Sequence, residues 1–141
     1  MFTGCKSQPN EEVYISDFYN IHEEYKDAWG NVGKYDISLP YIHCDSKSAK
    51  KLNQTIKNEY KDLVDSLDEA KEEGYTLPYT KVSYDVYTHS NLLSLVIKEE
   101  VETEYPRYKV YHFDSKTKKR VSNKKLYKKY KGLTSNLVTL L

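Results

Sequence analysis

The sequence has few cysteines to cross-link a small protein and lacks the long apolar runs that cross membranes. Its 141 residues include two cysteines, one tryptophan, one methionine and five glycines. Two cysteines cannot form the framework of a disulfide-rich scaffold, and no apolar run is long enough for a membrane-spanning helix. The low glycine and proline content excludes a collagen. A chain of this length can nevertheless bury a core of its own, as a single domain.

Acidic residues are missing from the last part of the chain. Residues 1–114 carry a net charge of −8, whereas residues 115–141 contain nine basic and no acidic residues, giving +9. A basic block of this kind attracts nucleic acid, anionic lipid or acidic polymers, or simply balances an acidic body. Only two of the 22 basic residues are arginine, the residue that reads bases, and no zinc-finger, RRM or KH signature occurs. We therefore predict no nucleic-acid partner.

Motifs that carry catalysis are also absent. The sequence has no P-loop, no dinucleotide-binding fingerprint and no nucleophile elbow. His22 and Glu24 form an H-x-E without the cysteine pair of a zinc deaminase, and His43, Cys44 and Asp45 are neighbours whose side chains alternate in direction on a strand. We predict no catalytic residues, no metal site, no cofactor and therefore no enzyme.

What the sequence has instead is regular periodicity. Residues 34–39 alternate between polar and apolar side chains, which predicts a half-buried strand with Tyr35, Ile37 and Leu39 on its inner face. Pro40 is expected to end that strand or to mark a sheet edge. An earlier strand is predicted over residues 24–29, with a turn at residues 30–33.

The clearest element is a long helix. Apolar residues recur every three or four positions between residues 49 and 70, Ser46 or Ser48 can cap the start, and Gly74 fits the end. Strands and a short basic helix follow, over residues 81–88, 92–101, 107–113 and 123–130. This order predicts an α+β fold, an antiparallel sheet of about four to five strands with one long helix packed across one face.

Tyrosine is the one abundant aromatic residue, with 15 copies. Tyr35, Tyr60, Tyr84 and Tyr108 fall on predicted core faces and compensate for a lean aliphatic core. Tyr87 and Tyr111 fall on the opposite phase of their strands. Because exposed tyrosine is a favoured contact residue for sugars and for protein partners, Tyr87 and Tyr111 are the candidate binding residues.

The first residues resemble the end of a bacterial lipoprotein signal peptide. Thr3, Gly4 and Cys5 match the small residue, the glycine and the lipidated cysteine of a lipobox, and Phe2 stands where leucine is usual. The resemblance implies lipidation at Cys5 and membrane anchoring at the bacterial cell surface. It also implies that residues 1–24 are a lipobox-like start and tether, that residues 25–131 form the α+β domain, and that residues 132–141 are a tail or truncated continuation.

Three short segments resemble a known extracytoplasmic family. Residues 35–42 read YDISLPYI, residues 48–56 read SAKKLNQTI, and residues 111–119 read YHFDSKTKK. They are similar to the I-P-x-I, A-x-x-I-N-x-x-I and Y-x-F-D-x-x-T-G-K motifs of PdaC-type peptidoglycan deacetylases and RsiV-type lysozyme-sensing anti-sigma factors. The chain resembles the first half of that domain only, and Lys118 replaces the glycine of the third motif.

This resemblance implies a non-catalytic cell-surface binding module whose partner is peptidoglycan or a wall-directed protein such as lysozyme. The net charge of residues 1–114 favours a cationic protein through electrostatic steering. Two alternatives stay open at this stage. One is a small metal-dependent cell-wall hydrolase or deacetylase accessory, and the other is a structural lipoprotein domain without independent activity.

Overall fold

The computed structural model describes residues 13–129 of the chain, so Cys5 and the tail at residues 132–141 lie outside the described residues. Six strands and two helices occur in this part. They follow one another as β1 (Tyr14–Lys26), β2 (Val32–His43), α1 (Lys47–Glu73), β3 (Thr80–His89), β4 (Leu92–Val101), β5 (Arg107–Asp114), β6 (Lys119–Val121) and α2 (Asn123–Lys129). Residues 14–24, which were expected to belong to a tether, instead form most of β1.

The strands form one sheet in the order in which they occur along the chain. The expectation of four to five strands is therefore wrong, because β1 and β6 extend the sheet to six. Every neighbouring pair is antiparallel except β2 and β3, which are parallel. The sheet is mixed because α1 carries the chain back along the sheet between β2 and β3, and such a crossover connects parallel strands.

The parallel junction between β2 and β3 is short. It consists of the three residue pairs Tyr35–Thr80, Asp36–Lys81 and Ile37–Val82. Beyond Ile37, β2 continues for six residues, and within residues 13–129 its only strand neighbour there is β1. The last part of the β1–β2 hairpin is thereby separated from β3, and this separation creates the candidate site described below.

Pro40 does not end β2, which runs on to His43. It lies beyond the β2–β3 junction, where no strand of the described part of the chain lies on one side of β2. The backbone N–H of Ile42, two residues further on, points to that side and is bound by a side chain of α1. The nitrogen of Pro40 faces the same side as that of Ile42. Because it has no β3 partner there, its missing N–H removes no hydrogen bond from the sheet.

Helix α1 begins and ends where its capping residues predict. The Ser46 hydroxyl accepts a hydrogen bond from the backbone N–H of Ala49, and Gly74 adopts a left-handed conformation with φ of 80°. The predicted apolar stripe is buried: Ala49, Leu52, Ile56, Tyr60, Leu67 and Ala70. Among the strands, β2 and β6 lie nearest to the backbone of α1.

One hydrophobic core joins the helix to four of the strands. The inner-face residues of β2 predicted from alternation, Tyr35, Ile37 and Leu39, are all buried in it. The other strand residues in this core are Ile42, Val82, Leu95, Ile97, Tyr111 and Phe113. Both the long amphipathic helix and the alternation of β2 are thus confirmed, within a mixed α+β fold.

Candidate binding surface

A bulge in β1 shapes the far end of the β1–β2 hairpin. Asp17 lies opposite Pro40 and Tyr19 lies opposite Leu39, so Phe18 is an extra residue in β1 without a partner. A bulge bends the strand that carries it and redirects the side chain of the extra residue. Phe18 is 47% exposed and reaches toward α1, where Lys57 lies over its ring.

Four rings form a continuous row on one side of this hairpin end, and we call Tyr14, His43, Tyr41 and Phe18 the aromatic row. The Tyr14 and His43 rings stack with centroids 4.3 Å apart and planes 9° apart. Tyr41 meets His43 edge-on at 4.9 Å and stacks on Phe18 at 5.6 Å. The His43 Nε2 atom also lies 2.6 Å from the hydroxyl of Ser16, which fixes the orientation of its imidazole.

A cavity of about 250 Å³ adjoins the Phe18 end of the aromatic row, and we call it the Phe18 cavity. It lies between the hairpin and α1 and is open to solvent. The hairpin contributes one wall and α1 the other: Phe18, Leu39, Pro40 and Tyr41 face Lys50, Asn53, Gln54, Ile56 and Lys57. Apolar walls with a few polar groups are typical of small-molecule binding sites.

Asn53 holds the two walls of the Phe18 cavity together. Its carboxamide oxygen accepts the backbone N–H of Ile42 at 2.8 Å, and its nitrogen donates to the Ile42 carbonyl at 2.9 Å. These are the two backbone groups that a neighbouring strand would otherwise bind. The wall formed by β2 is therefore fixed to α1 in the free protein, so the cavity is preformed.

The Phe18 cavity is positively charged. Among the residues that the structure describes, its lining contains two lysines and no carboxylate. The Lys57 Nζ lies 5.6 Å from the centroid of the Phe18 ring, a cation–π geometry. The Lys50 Nζ lies 3.4 Å from Asp45 Oδ1, and both of these side chains are largely exposed.

The structure places the two predicted binding residues very differently. Tyr87 of β3 is 59% exposed, as its phase predicts. Tyr111 of β5 is only 8% exposed and lies in the core, with the Arg120 guanidinium 5.2 Å above its ring, whereas Tyr108 is exposed. The predicted phase of β5 is therefore wrong. Apolar residues occupy both phases of this strand, and pairing with Leu95 of β4 turns Tyr111 inward.

The other candidate clusters from the sequence form local structural contacts. His22 pairs across the hairpin with Asp36 rather than with Glu24, at 2.9 Å, and Tyr79 donates to Asp36 at 2.7 Å. These hydrogen bonds lower the pKa of Asp36, and the bond to Asp36 raises the pKa of Tyr79 to about 12. Cys44 is a half-buried free thiol that packs against the core. Within residues 13–129 no three metal-ligating side chains are grouped.

Sequence reasoning missed the aromatic row. Its members occur at residues 14, 18, 41 and 43, in two segments whose pairing is invisible before the register is known. Tyr14 pairs directly with His43, and the bulge then places Phe18 beside Tyr41. A concentration of aromatic residues on both sides of Pro40 was the only signal that the sequence offered.

No protein-family model and no curated protein matches the chain. Neither helix in the described part of the chain is long and apolar enough to span a bilayer.

Proposed function

We propose that this protein is a non-catalytic binding module of the bacterial cell surface that recognises peptidoglycan. The observation that carries the proposal is the aromatic row next to a preformed, cationic cavity. Sugar rings have apolar faces that pack on exposed aromatic rings, while tyrosine hydroxyls at the same surface supply hydrogen bonds. Peptidoglycan combines such rings with carboxylates, which the lysines of the cavity complement.

The location and the anchor belong to the same proposal. Lipidation of Cys5 would hold the domain at the outer surface of the membrane, within reach of the wall. We take α1 to pack across one face of the sheet, as its stripe in the shared core supports. The aromatic row would then stay free for a ligand at the far end of the hairpin.

Charge at the site favours peptidoglycan over lysozyme as the partner. Lysozyme is a cationic protein, and Lys50 and Lys57 would repel it from the Phe18 cavity. An anionic polymer would meet complementary charge there. For this reason we propose the polymer and treat lysozyme as an outcome that the experiment can reveal.

Cosedimentation with purified insoluble peptidoglycan tests the proposal. The 141-residue chain should pellet with the wall polymer. A F18A/Y41A variant should bind about tenfold or more weakly, if each ring contributes on the scale of about 1–3 kcal/mol known for aromatic residues that stack on nucleic-acid bases. Tyr105 is 92% exposed and lies outside the site, so Tyr105→Ala is the matched control and should bind normally.

Two results would contradict the proposal. One is equal pelleting of the wild type and the F18A/Y41A variant when circular dichroism shows that both are folded. The other is tight, salt-sensitive binding to lysozyme without any binding to peptidoglycan, which would identify a wall-directed protein as the partner.

A further inference from the structure

The hydrogen-bond donors in the Phe18 cavity are not equally available. The carboxamide of Asn53 is held by the backbone N–H and carbonyl of Ile42. The Gln54 Nε2 donates to the side chain of Asn58 at 2.8 Å. The charged donors that remain along this wall are the ammonium groups of Lys50 and Lys57.

Lys57 and Lys50 stand seven residues apart, two turns of α1, and therefore lie on one side of the helix. Among the residues that the structure describes, Lys57 has no carboxylate within ion-pair distance and instead covers the Phe18 ring. Lys50 has one carboxylate partner, Asp45, which precedes the helix and does not line the cavity. An exposed pair of this kind contributes little and exchanges readily.

We infer that the Phe18 cavity is a carboxylate subsite, in which an acidic sugar of a glycan places its carboxylate between Lys50 and Lys57 and displaces Asp45 from Lys50. This inference rests on the proposed function and adds a selectivity to it. The aromatic row holds the sugar rings, whereas the two lysines distinguish an acidic glycan from a neutral one. Asp45 acts as an internal competitor for the ligand carboxylate.

The selectivity follows from the local charge. A neutral glycan gains the aromatic contacts and, from amide groups such as that of Gln54, neutral hydrogen bonds alone. A carboxylate adds charge-assisted hydrogen bonds to one or both ammonium groups, and these are stronger than neutral ones. Since both lysines are solvent-accessible, the advantage should decrease as salt is added.

The experiment compares two forms of one ligand with the full 141-residue chain. The probes are a tetrasaccharide of alternating N-acetylglucosamine and N-acetylmuramic acid with free lactyl carboxylates, and the same tetrasaccharide with those carboxylates converted to amides. Isothermal titration calorimetry at low salt should show the acid form binding about tenfold more tightly than the amide form, which corresponds to about 1.4 kcal/mol.

Three variants assign the effect to residues. The K50Q/K57Q variant should lose the preference and bind the acid and amide forms equally. The matched control Lys51→Gln removes the same charge from an exposed helix position outside the cavity and should keep the tenfold preference. Asp45→Asn should tighten binding of the acid form about two- to threefold by removing the competitor, and leave the amide form unaffected.

The outcomes separate this inference from the proposed function. Equal binding of both forms by the wild type, or a preference that persists in K50Q/K57Q, would overturn the carboxylate subsite and leave glycan binding intact. Failure of the wild type to bind either form would overturn the proposed function and the subsite with it.

Discussion

Asn53 and Ile42 are joined by two hydrogen bonds that together replace a missing strand. The Ile42 N–H donates to the Asn53 carboxamide oxygen at 2.8 Å, and the Asn53 nitrogen donates to the Ile42 carbonyl at 2.9 Å. At this point β2 has already separated from β3, so its outer backbone groups have no strand partner among the residues that the structure describes. The side chain completes the pairing of β2 and keeps the hairpin end against α1.

Replacing Asn53 by alanine should lower the free energy of unfolding by about 1–3 kcal/mol, because it leaves two half-buried backbone groups without a partner. Urea denaturation followed by circular dichroism measures this difference. The adjacent exposed substitution Gln54→Ala is the control and should change stability by no more than about 0.5 kcal/mol. Similar losses in both variants would show that the pairing with Ile42 contributes little.

Tyr111 and Tyr87 should respond in opposite ways to truncation. Tyr111→Ala removes a ring from the core and should destabilise the protein by about 3–5 kcal/mol, whereas Tyr87→Ala should stay within about 0.5 kcal/mol of the wild type. Thermal unfolding measured side by side distinguishes the two. A strongly destabilised Tyr87→Ala protein would contradict the burial described for β3.

Lys118 adopts a left-handed conformation, with φ of 60°. This is the position at which the resembling family has glycine, so the turn between β5 and β6 keeps a conformation suited to glycine while carrying a lysine. Lys118→Gly should therefore raise the free energy of unfolding by about 0.5–1 kcal/mol, the cost of a left-handed L-residue less the added freedom of glycine in the unfolded chain.

The same substitution at a neighbouring residue provides the comparison for Lys118. Lys116 is not among the residues with positive φ, so Lys116→Gly gains no relief and should be neutral or destabilising in the same denaturation assay. A stabilising Lys116→Gly, or a destabilising Lys118→Gly, would show that the turn does not select for glycine-like geometry.

His112 should make stability depend on pH. Burial lowers the pKa of His112 below its usual value of 6.5, so the folded protein takes up this proton less readily than the unfolded chain does. The contribution is complete above pH 6.5 and is lost as the pH falls from 6.5 toward the lowered pKa, with a slope of at most about 1.4 kcal/mol per pH unit.

Denaturation at pH 7.5 and at pH 5 measures this effect in the wild type and in His112→Gln. The stability lost on acidification should be smaller in the variant, because the variant lacks the contribution of His112. The Ser94 hydroxyl lies 2.8 Å from His112 Nδ1, and glutamine can retain a hydrogen bond there. An unchanged loss in His112→Gln would assign the acid sensitivity to other groups.

Local periodicity in the sequence was sufficient to predict the helix and the inner face of β2. The spacing of Leu52, Ile56 and Tyr60 and the capping residues define α1 without any tertiary information. The alternation of Tyr35 with Ile37 does the same for β2. Both patterns depend on which side of a single element is buried, a property that the sequence of that element records.

Pairing between distant segments could not be predicted in this way. The parallel junction at Ile37 and Val82, the bulge at Phe18 and the inward turn of Tyr111 all depend on which strand lies alongside. The aromatic row depends on the same information, because Tyr14 and His43 meet only through the register of the hairpin. The residues of the candidate site could be read from the sequence, but their proximity could not be predicted from it.

The junction between β2 and β3 also sets the order in which the protein can fold. Every other pair of neighbouring strands is joined by a short turn that closes at small entropic cost, whereas this pair has the whole of α1 between its partners. Contacts between distant residues slow folding. The Phe18 cavity has one wall from the hairpin and one from α1, so we expect it to form only once α1 has docked and bound Ile42.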